Sequence, residues 1–490
     1  MKKVIIRKKD FNCLFCLLIL LVTGVFFTTS DQLGYVTLPI AIVSFVILFC
    51  YAIRDKEEHI FLLCFLISFF TFLLGGQILN RIFKVYYYNF SNAIEYHADF
   101  SLLISIVGIA FGYILLGHTN DSHNAQVSSY AYFEERQCLS IRKMSKYLYI
   151  AVYGFWILTV LDVFFFVRRH GYISYYISFK SSLPSIVRQI GYFGPTSLFI
   201  FLATLPSKDE AKWPLFSYAL YAFLSLFTGR RINFIVSLLF IFAYMLCRNK
   251  VKPGNSKWLS TRALVVVLVS IPLLMIAMYL FEYLRADIYV GNSTDYSPIL
   301  GFFVRQGTSI NVIKFTELYK EQLDPNAHYS FYNFLRWIYN TPFKALLGNT
   351  YVFGSQSAET AMHGTYLADF VSYYSMRSAY LSGQGYGSCY IEELFVDYGY
   401  CGVFFGNLIY GFVFRKLTNA MGSISSVWKA ATGLYMLNYL FQAPRSTFDA
   451  FFAHLLYPEF WLPVMAVYFS AQLITRRYNK YFSRSRITDI

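Results

Sequence analysis

The chain has 490 residues and a formal net charge of +15, and 57% of its residues are hydrophobic while only 14% are charged. Soluble domains carry about 25% charged residues, so this composition excludes an ordinary water-soluble protein. Phe and Tyr alone number 51 and 43, and the apolar residues fall in continuous runs of about 20, the length at which a helix spans a bilayer.

These runs predict an all-α polytopic membrane protein with about twelve transmembrane helices, in which residues 1–490 form a single membrane domain. The first run follows a basic start and resembles a signal peptide, but its length favours an uncleaved first span. The predicted spans cover roughly residues 11–29, 35–53, 60–79, 98–117, 147–167, 190–206, 213–228, 231–247, 263–283, 393–414, 428–443 and 458–474.

The distribution of basic residues predicts the orientation. If the N-terminus is cytoplasmic, the segments on that side hold most of the 42 Lys and Arg residues. Short cytoplasmic loops are enriched in these residues, so we predict that both termini are cytoplasmic. Residues 284–392, between the ninth and tenth spans, then form a large extracytoplasmic loop, and loops of this length are usually functional.

The large loop is expected to be partly helical. Val312, Phe315 and Leu318 recur at helical spacing with charged residues between them, which predicts a helix lying on the membrane surface. Residues 331–347 are rich in aromatic side chains and are expected to lie in the membrane interface.

Several well-known catalytic motifs are missing from the sequence. It contains no G-x-x-x-x-G-K-[ST] loop, no H-E-x-x-H motif and no G-x-S-x-G turn. We therefore expect neither a nucleotide, nor a metal, nor another cofactor, and the energy for any reaction would come from the substrate.

Arginine outnumbers lysine on the predicted extracytoplasmic side, where membrane insertion disfavours basic residues. A guanidinium group binds two phosphate oxygens at once, so this excess predicts an anionic ligand such as a pyrophosphate. Snorkelling to the interface and pairing with acidic residues is the alternative. The predicted pyrophosphate-binding residues are Arg168, Arg169, Arg188, Arg230, Arg231, Arg305, Arg336 and Arg377.

Local context supports some of these arginines. Arg230 and Arg231 occupy a turn between two apolar runs, where two cations near hydrocarbon are costly without a partner. The loop of Arg188 is rich in tyrosines, whose faces suit sugar rings, although tyrosines also form ordinary aromatic belts. Arg305 precedes a small polar turn that could offer backbone N–H groups to an anion, or simply begin a helix.

Candidate bases come from a different set of residues. Glu393 and Asp397 are four residues apart and share a helix face at the mouth of the tenth span. The predicted catalytic residues are Glu392, Glu393 and His363, although the carboxylates could equally be counter-ions for the arginines. Asp162, near the outer end of the fifth span, is a further polar group or arginine partner.

The sequence also contains the turn Gly229-Arg230-Arg231 and the segment 305–309. A glycine-rich loop with acidic residues and a Gly-x-x-Gly helix start runs from Gly385 to Gly402. Together with many spans and one large late loop, these features resemble the bacterial O-antigen polymerase (Wzy-type) family. The overall plan, covering nearly the whole chain, also resembles the C-type glycosyltransferase polymerases and ligases.

The resemblance implies a metal- and nucleotide-independent glycosyltransferase in the bacterial inner membrane. A sugar hydroxyl of a new repeat unit would attack the anomeric carbon of a glycan carried on undecaprenyl pyrophosphate, and arginines would stabilise the leaving group. The implied product is an O-antigen or capsular-type polysaccharide at the outer face. The implied partners are the lipid-linked oligosaccharide, membrane lipid, a chain-length regulator and a flippase, with no nucleic acid.

Other functions remain open from the sequence. An O-antigen ligase is poorly distinguished from a polymerase. A flippase or transporter for lipid-linked sugars would more often show internal repeats and charges near the midplane. A membrane acyltransferase would be expected to place a histidine deep within a span.

Overall fold

The computed structural model shows helices joined by turns and short loops. In the described ranges, the β-structure consists of a single bridge between Val352 and Gly364. The structure describes residues 8–28, 34–85, 88–116, 136–172, 174–229, 231–251, 257–283, 297–347, 352–422 and 427–488.

The segments before the large loop are mostly long and apolar. They form helices because a backbone in lipid must satisfy its own hydrogen bonds. They are α1 (Lys8–Thr28), α2 (Thr37–Arg54), α3 (Ile60–Phe69), α4 (Gly75–Phe83), α5 (Asn92–Phe111), α6 (Arg136–His170), α7 (Ser174–Ser178), α8 (Ser185–Ala203), α9 (Lys208–Leu226), α10 (Arg231–Val251) and α11 (Thr261–Tyr283). A π-helical turn, Phe70–Leu74, joins α3 to α4, and another, Gly112–Leu116, extends α5.

Short helices form the large loop, and long helices return after it. The loop contains α12 (Pro298–Gln306), α13 (Ile310–Leu318), α14 (Tyr332–Tyr339), α15 (Ala358–His363) and α16 (Leu367–Leu381). The chain ends with α17 (Tyr390–Gly422), α18 (Val427–Gln442), α19 (Ala450–Ala453) and α20 (Pro458–Thr488). We refer to the end of the bundle that carries α12 to α16 as the loop end.

The predicted spans coincide with helices or with continuous helical stretches. Among the described residues, seven helical segments are long and apolar enough to cross a membrane. A bent pair, Ala450–Leu456 and Pro458–Arg476, meets at 58° and is an eighth candidate. The chain is therefore an all-α polytopic membrane protein, while the count of twelve spans stays a prediction.

Helices α5 and α17 approach each other at backbone contact distance. A Cβ added at Gly112 would lie 1.9 Å from the carbonyl oxygen of Leu408, and one at Gly411 would lie 2.1 Å from that of Ile109. Small residues at a helix interface permit such an approach in membranes. This tight pair forms the core against which the large loop is held.

The prediction of a membrane-surface helix around residues 312–321 is wrong. Helix α13 is buried from Ile310 to Thr316, and the Lys314 side chain has no exposed surface. Lys314 Nζ donates to Glu95 Oε1 of α5 over 2.9 Å. A lysine can be buried when it is paired in this way. The charge of Lys314 therefore did not indicate that this face of the helix is exposed to solvent.

The segment after Arg305 is a 3-10 turn between two helices rather than an open loop. Helix α12 passes through a 3-10 turn, Gly307–Ser309, directly into α13. The N–H of Gly307 donates to the carbonyl oxygen of Phe303, so it is not available to an anion.

Two aspartates hold α14 against the bundle. Asp397 of α17 accepts a hydrogen bond from the backbone N–H of Ser330 at 2.8 Å. Asp449, which is fully buried, accepts from the backbone N–H of Phe334 at 2.7 Å. The Phe334 N–H lies in the first turn of α14 and has no partner within the helix, so Asp449 caps α14, while Asp397 fixes the 3-10 turn, Tyr329–Phe331, that precedes it.

Candidate functional site

A cavity of about 270 Å³ opens between the helices at the loop end. We call it the lateral cavity, and its walls come from α6, α8, α9, α10, α18 and α20. Its polar lining residues include Thr159, Asp162, Ser181, Arg188, Ser225, Thr228, Asn233, Asn438 and Glu459. Its aromatic lining residues are Trp156, Tyr175, Phe179, Tyr192, Tyr221, Tyr435 and Tyr439.

The aromatic walls are ordered by stacking. The rings of Trp156 and Tyr221 stack with centroids 3.8 Å apart, and those of Tyr175 and Phe179 stack at 4.9 Å. Aromatic rings present a large apolar face and, in tyrosine, a polar edge. A wall of this kind suits a sugar, which has C–H faces and a rim of hydroxyl groups.

Two buried polar atoms in the cavity lack a protein partner. Arg188 Nε and Asn438 Oδ1 are both inaccessible to solvent, and neither makes a hydrogen bond. Leaving a buried donor or acceptor unpaired costs about 1–3 kcal/mol, and more for a charged group. Because Arg188 and Asn438 both line the cavity, a cationic and a neutral polar side chain border the space that a ligand would fill.

The turn that carries Arg230 and Arg231 lies at the edge of this cavity. Thr228 and Asn233, on either side of the turn, both line it. Gly229 has a φ of 80°, and a Cβ there would lie 2.3 Å from the Tyr172 ring, so glycine is required. Arg230 and the side chain of Arg231 lie outside the described residues.

Two further predicted arginines belong to a helix that lines the cavity. Arg168 and Arg169 are exposed in the last turn of α6. Asp162, on the same helix, accepts hydrogen bonds from the hydroxyl groups of Ser181 and Ser182, each at 2.5 Å. The structure therefore groups Asp162 and Arg188 at one cavity, while Arg168 and Arg169 follow on the same helix as Asp162 and do not line it.

Arg336 lies on the large loop and does not line the cavity. It is exposed on α14, and its Nη1 donates to the hydroxyl of Tyr332 over 3.2 Å. The guanidinium also acts electrostatically on His454. His454 stacks on Tyr439, a lining residue, with ring centroids 3.9 Å apart, so His454 lies between Arg336 and the cavity wall.

Other predicted site residues are placed elsewhere. Arg305 is partly buried at the end of α12, and Arg377 is exposed over the ring of Tyr373 at 5.0 Å. His363 is exposed at the end of α15. None of these three lines the lateral cavity.

The two predicted catalytic glutamates are fully buried and bonded to protein groups. Glu393 accepts from the Ser388 hydroxyl at 2.5 Å and from the backbone N–H of Phe448 at 2.8 Å. Glu392 Oε2 lies 3.3 Å from His97 Nε2. Both oxygens of Glu393 are thus satisfied, which favours a structural role for it at the start of α17, whereas Glu392 Oε1 is buried without a hydrogen-bond partner in the described ranges.

Part of the arginine excess is explained by internal pairing. Arg81 Nη2 donates to Asp99 Oδ2 over 2.9 Å, and Gln77 donates to both Asp99 and Glu95. Glu95 also accepts from Lys314, which makes a closed network between α4, α5 and α13. Arg81 is therefore a counter-ion within the fold.

Sequence reasoning missed Glu459 and Asn438 as site residues. Glu459 falls at the first turn of the last predicted span and resembles an ordinary helix-start acid. Asn438 resembles a polar residue in a short, weak span. Both residues lie near the loop end of a predicted span that contains few other polar residues. That position could have identified them from the sequence.

The sequence was also compared with known proteins. The family model described as O-antigen polysaccharide polymerase Wzy matches residues 11–478, nearly the whole chain. No curated protein and no solved structure matched. Members of this family polymerise lipid-linked oligosaccharide repeat units, a glycosyltransferase activity of the bacterial inner membrane. The chain belongs to the O-antigen polysaccharide polymerase Wzy family.

Proposed function

We propose that the chain elongates a glycan carried on undecaprenyl pyrophosphate at the extracytoplasmic face of the inner membrane, with both termini in the cytoplasm. The loop end then faces outward, and the lateral cavity is where the reaction occurs. The observation that carries this proposal is an aromatic cavity lined by carboxylates and by Arg188, whose Nε has no hydrogen-bond partner among the described residues.

The chemistry of the substrate fits this site without a metal or a nucleotide. The bond between the anomeric carbon and the pyrophosphate is already activated, so the protein has to place the two sugars and stabilise the leaving group. Arg188 would bind the departing pyrophosphate, where negative charge develops in the transition state. The exposed basic residues Arg168, Arg169 and Arg336 would attract the anionic headgroup toward this part of the protein.

The test is a glycan ladder from a strain that lacks the gene, complemented with single variants. Arg188→Ala should leave single repeat units on the lipid A core and no polymer, whereas Arg54→Ala, an exposed arginine at the opposite end of the bundle, should restore the full ladder. Normal chain lengths with Arg188→Ala would contradict the proposal. A chain-length regulator and a flippase would act before or beside this step.

The glycan on the core of the same deletion strain also distinguishes a polymerase from a ligase. Loss of a ligase leaves no glycan on the core, whereas loss of a polymerase leaves one repeat unit. A flippase would move the lipid-linked unit across reconstituted vesicles without lengthening the glycan.

A further inference from the structure

The lateral cavity contains two carboxylates whose surroundings differ. Asp162 accepts three hydrogen bonds, from the hydroxyls of Ser181 and Ser182 and from the backbone N–H of Ser182 at 3.3 Å. These donors occupy about three of the four lone-pair sites of the carboxylate, so Asp162 mainly holds this loop in place and has room for one further hydrogen bond.

Glu459 has the opposite environment. It is half-buried in the first turn of α20 and lines the cavity. Over the ranges that the structure describes, its carboxylate accepts no hydrogen bond from the protein. Both carboxylate oxygens thus remain available to a ligand in the cavity.

The position of Glu459 is fixed relative to Arg188. The hydroxyl of Thr196 on α8 donates to the backbone carbonyl of Glu459 over 3.0 Å. Arg188 lies about two turns before Thr196 on the same helix, because eight residues at 1.5 Å each span about 12 Å. In the described part of the chain, a carboxylate without a hydrogen-bond donor and an arginine whose Nε has no partner are therefore held at one cavity by directly bonded helices.

We propose that Glu459 is the general base of the polymerisation reaction, an inference that rests on the function proposed above. A carboxylate oxygen of Glu459 takes the proton from the acceptor sugar hydroxyl as that oxygen forms a bond to the anomeric carbon of the donor. The bond from the anomeric carbon to the pyrophosphate oxygen breaks, and its electron pair leaves with the pyrophosphate, which Arg188 binds. The proton on Glu459 then passes to solvent.

Asp162 has a separate role in this scheme. Its carboxylate, held by the two serines, accepts one hydrogen bond from a sugar and orients it without receiving a proton. The two acids are therefore distinguishable by kinetics: loss of a base lowers the chemical rate, whereas loss of a binding contact raises KM.

The experiment uses full-length protein in nanodiscs and lipid-linked repeat units extracted from the deletion strain. Glu459→Gln should lower kcat by about 10²–10⁴-fold, the usual contribution of general base catalysis, with KM within about twofold of the wild type. Glu459→Asp should recover part of kcat, because it keeps a carboxylate. Asp162→Asn, the matched control, should raise KM more than it lowers kcat.

A wild-type kcat for Glu459→Gln would overturn the assignment of the base. If Arg188→Ala is inactive in the same assay, only the assignment of Glu459 as the base is wrong. If Glu459→Gln and Arg188→Ala are both fully active, the lateral cavity is not the reaction site either. Size-exclusion profiles and binding of the extracted lipid-linked unit would show that Glu459→Gln is folded. Loss of that binding by the variant would equally contradict a role confined to proton transfer.

Discussion

His97 of α5 and Glu392 of α17 form a buried pair, with 3.3 Å between His97 Nε2 and Glu392 Oε2. The other ring nitrogen of His97 lies 2.9 Å from the hydroxyl of Tyr400. Glu392 and Tyr400 lie on either side of Gly399, where α17 is kinked with a φ of 63°. His97 therefore holds both sides of the kink against α5.

We expect that Glu392→Ala and His97→Ala each lower the free energy of unfolding by about 3 kcal/mol, because removing one member of a buried pair leaves the other unpaired. Thermal unfolding in detergent micelles measures this. The double variant should lose less than the sum of the two losses. A Glu392→Ala protein that unfolds like the wild type yet makes no polymer would instead support the predicted catalytic role of Glu392.

The close approach of α5 and α17 gives a second prediction. Gly112→Ala places a Cβ 1.9 Å from the Leu408 carbonyl oxygen, so the helices must separate. Overpacking of this kind costs about 1–3 kcal/mol. Gly154→Ala is the matched control, since no atom lies within 4 Å of the added Cβ, and alanine's helix propensity should make it neutral or slightly stabilising. Equal melting temperatures for the two variants would contradict the backbone contact.

The sequence could predict the helices because each apolar run is a local property of about 20 residues. It could not predict which charges are buried, because burial depends on partners far along the chain. Lys314 seemed to mark a solvated helix face, yet its partner Glu95 is 219 residues away. The same limit applies to the lateral cavity: Arg188 was predicted from its loop as a pyrophosphate-binding residue, whereas Glu459 reaches the cavity only because α20 packs beside α8.

Glu58, in the turn between α2 and α3, predicts a dependence of stability on pH. Burial favours the neutral carboxyl, but Lys250 at 3.0 Å and Arg415 at 3.0 Å outweigh it and lower the pKa of Glu58 to about 2. The pair therefore stabilises the fold above the unfolded pKa of about 4.5, and this contribution is lost as the pH falls toward 2.

The expected contribution of Glu58 is about 3 kcal/mol at neutral pH, since each unit of pKa shift is worth about 1.4 kcal/mol. We would measure the free energy of unfolding in detergent for the wild type and for Glu58→Gln, at pH 7 and at pH 3. Comparing the two proteins separates the effect of Glu58 from that of other groups that titrate. The difference in stability between the two proteins should shrink at pH 3. A difference that stays constant would show that the ion pairs do not set the pKa.

Asp449 gives the last prediction, because it positions the helix that carries Arg336. The backbone N–H of Phe334 and the Asn333 side chain both donate to Asp449, at 2.7 and 2.9 Å. Asp449→Ala removes the acceptor at the start of α14, where a lost cap costs about 1 kcal/mol. We expect faster proteolysis within residues 320–347 and shorter polymer, without loss of protein from the membrane.

Further variants distinguish the positioning of α14 by Asp449 from the effect of the Arg336 charge. Asp449→Asn retains one of the two carboxylate oxygens as an acceptor, so it should recover part of the polymer length. Asp209 is an exposed acid at the opposite end of the bundle, and Asp209→Ala, the control, should have no effect. Arg336→Ala should shorten the polymer to the same degree as Asp449→Ala but leave proteolysis unchanged, because α14 keeps its cap. If Asp449→Ala shortens the polymer further in an Arg336→Ala background, Asp449 acts through something other than Arg336.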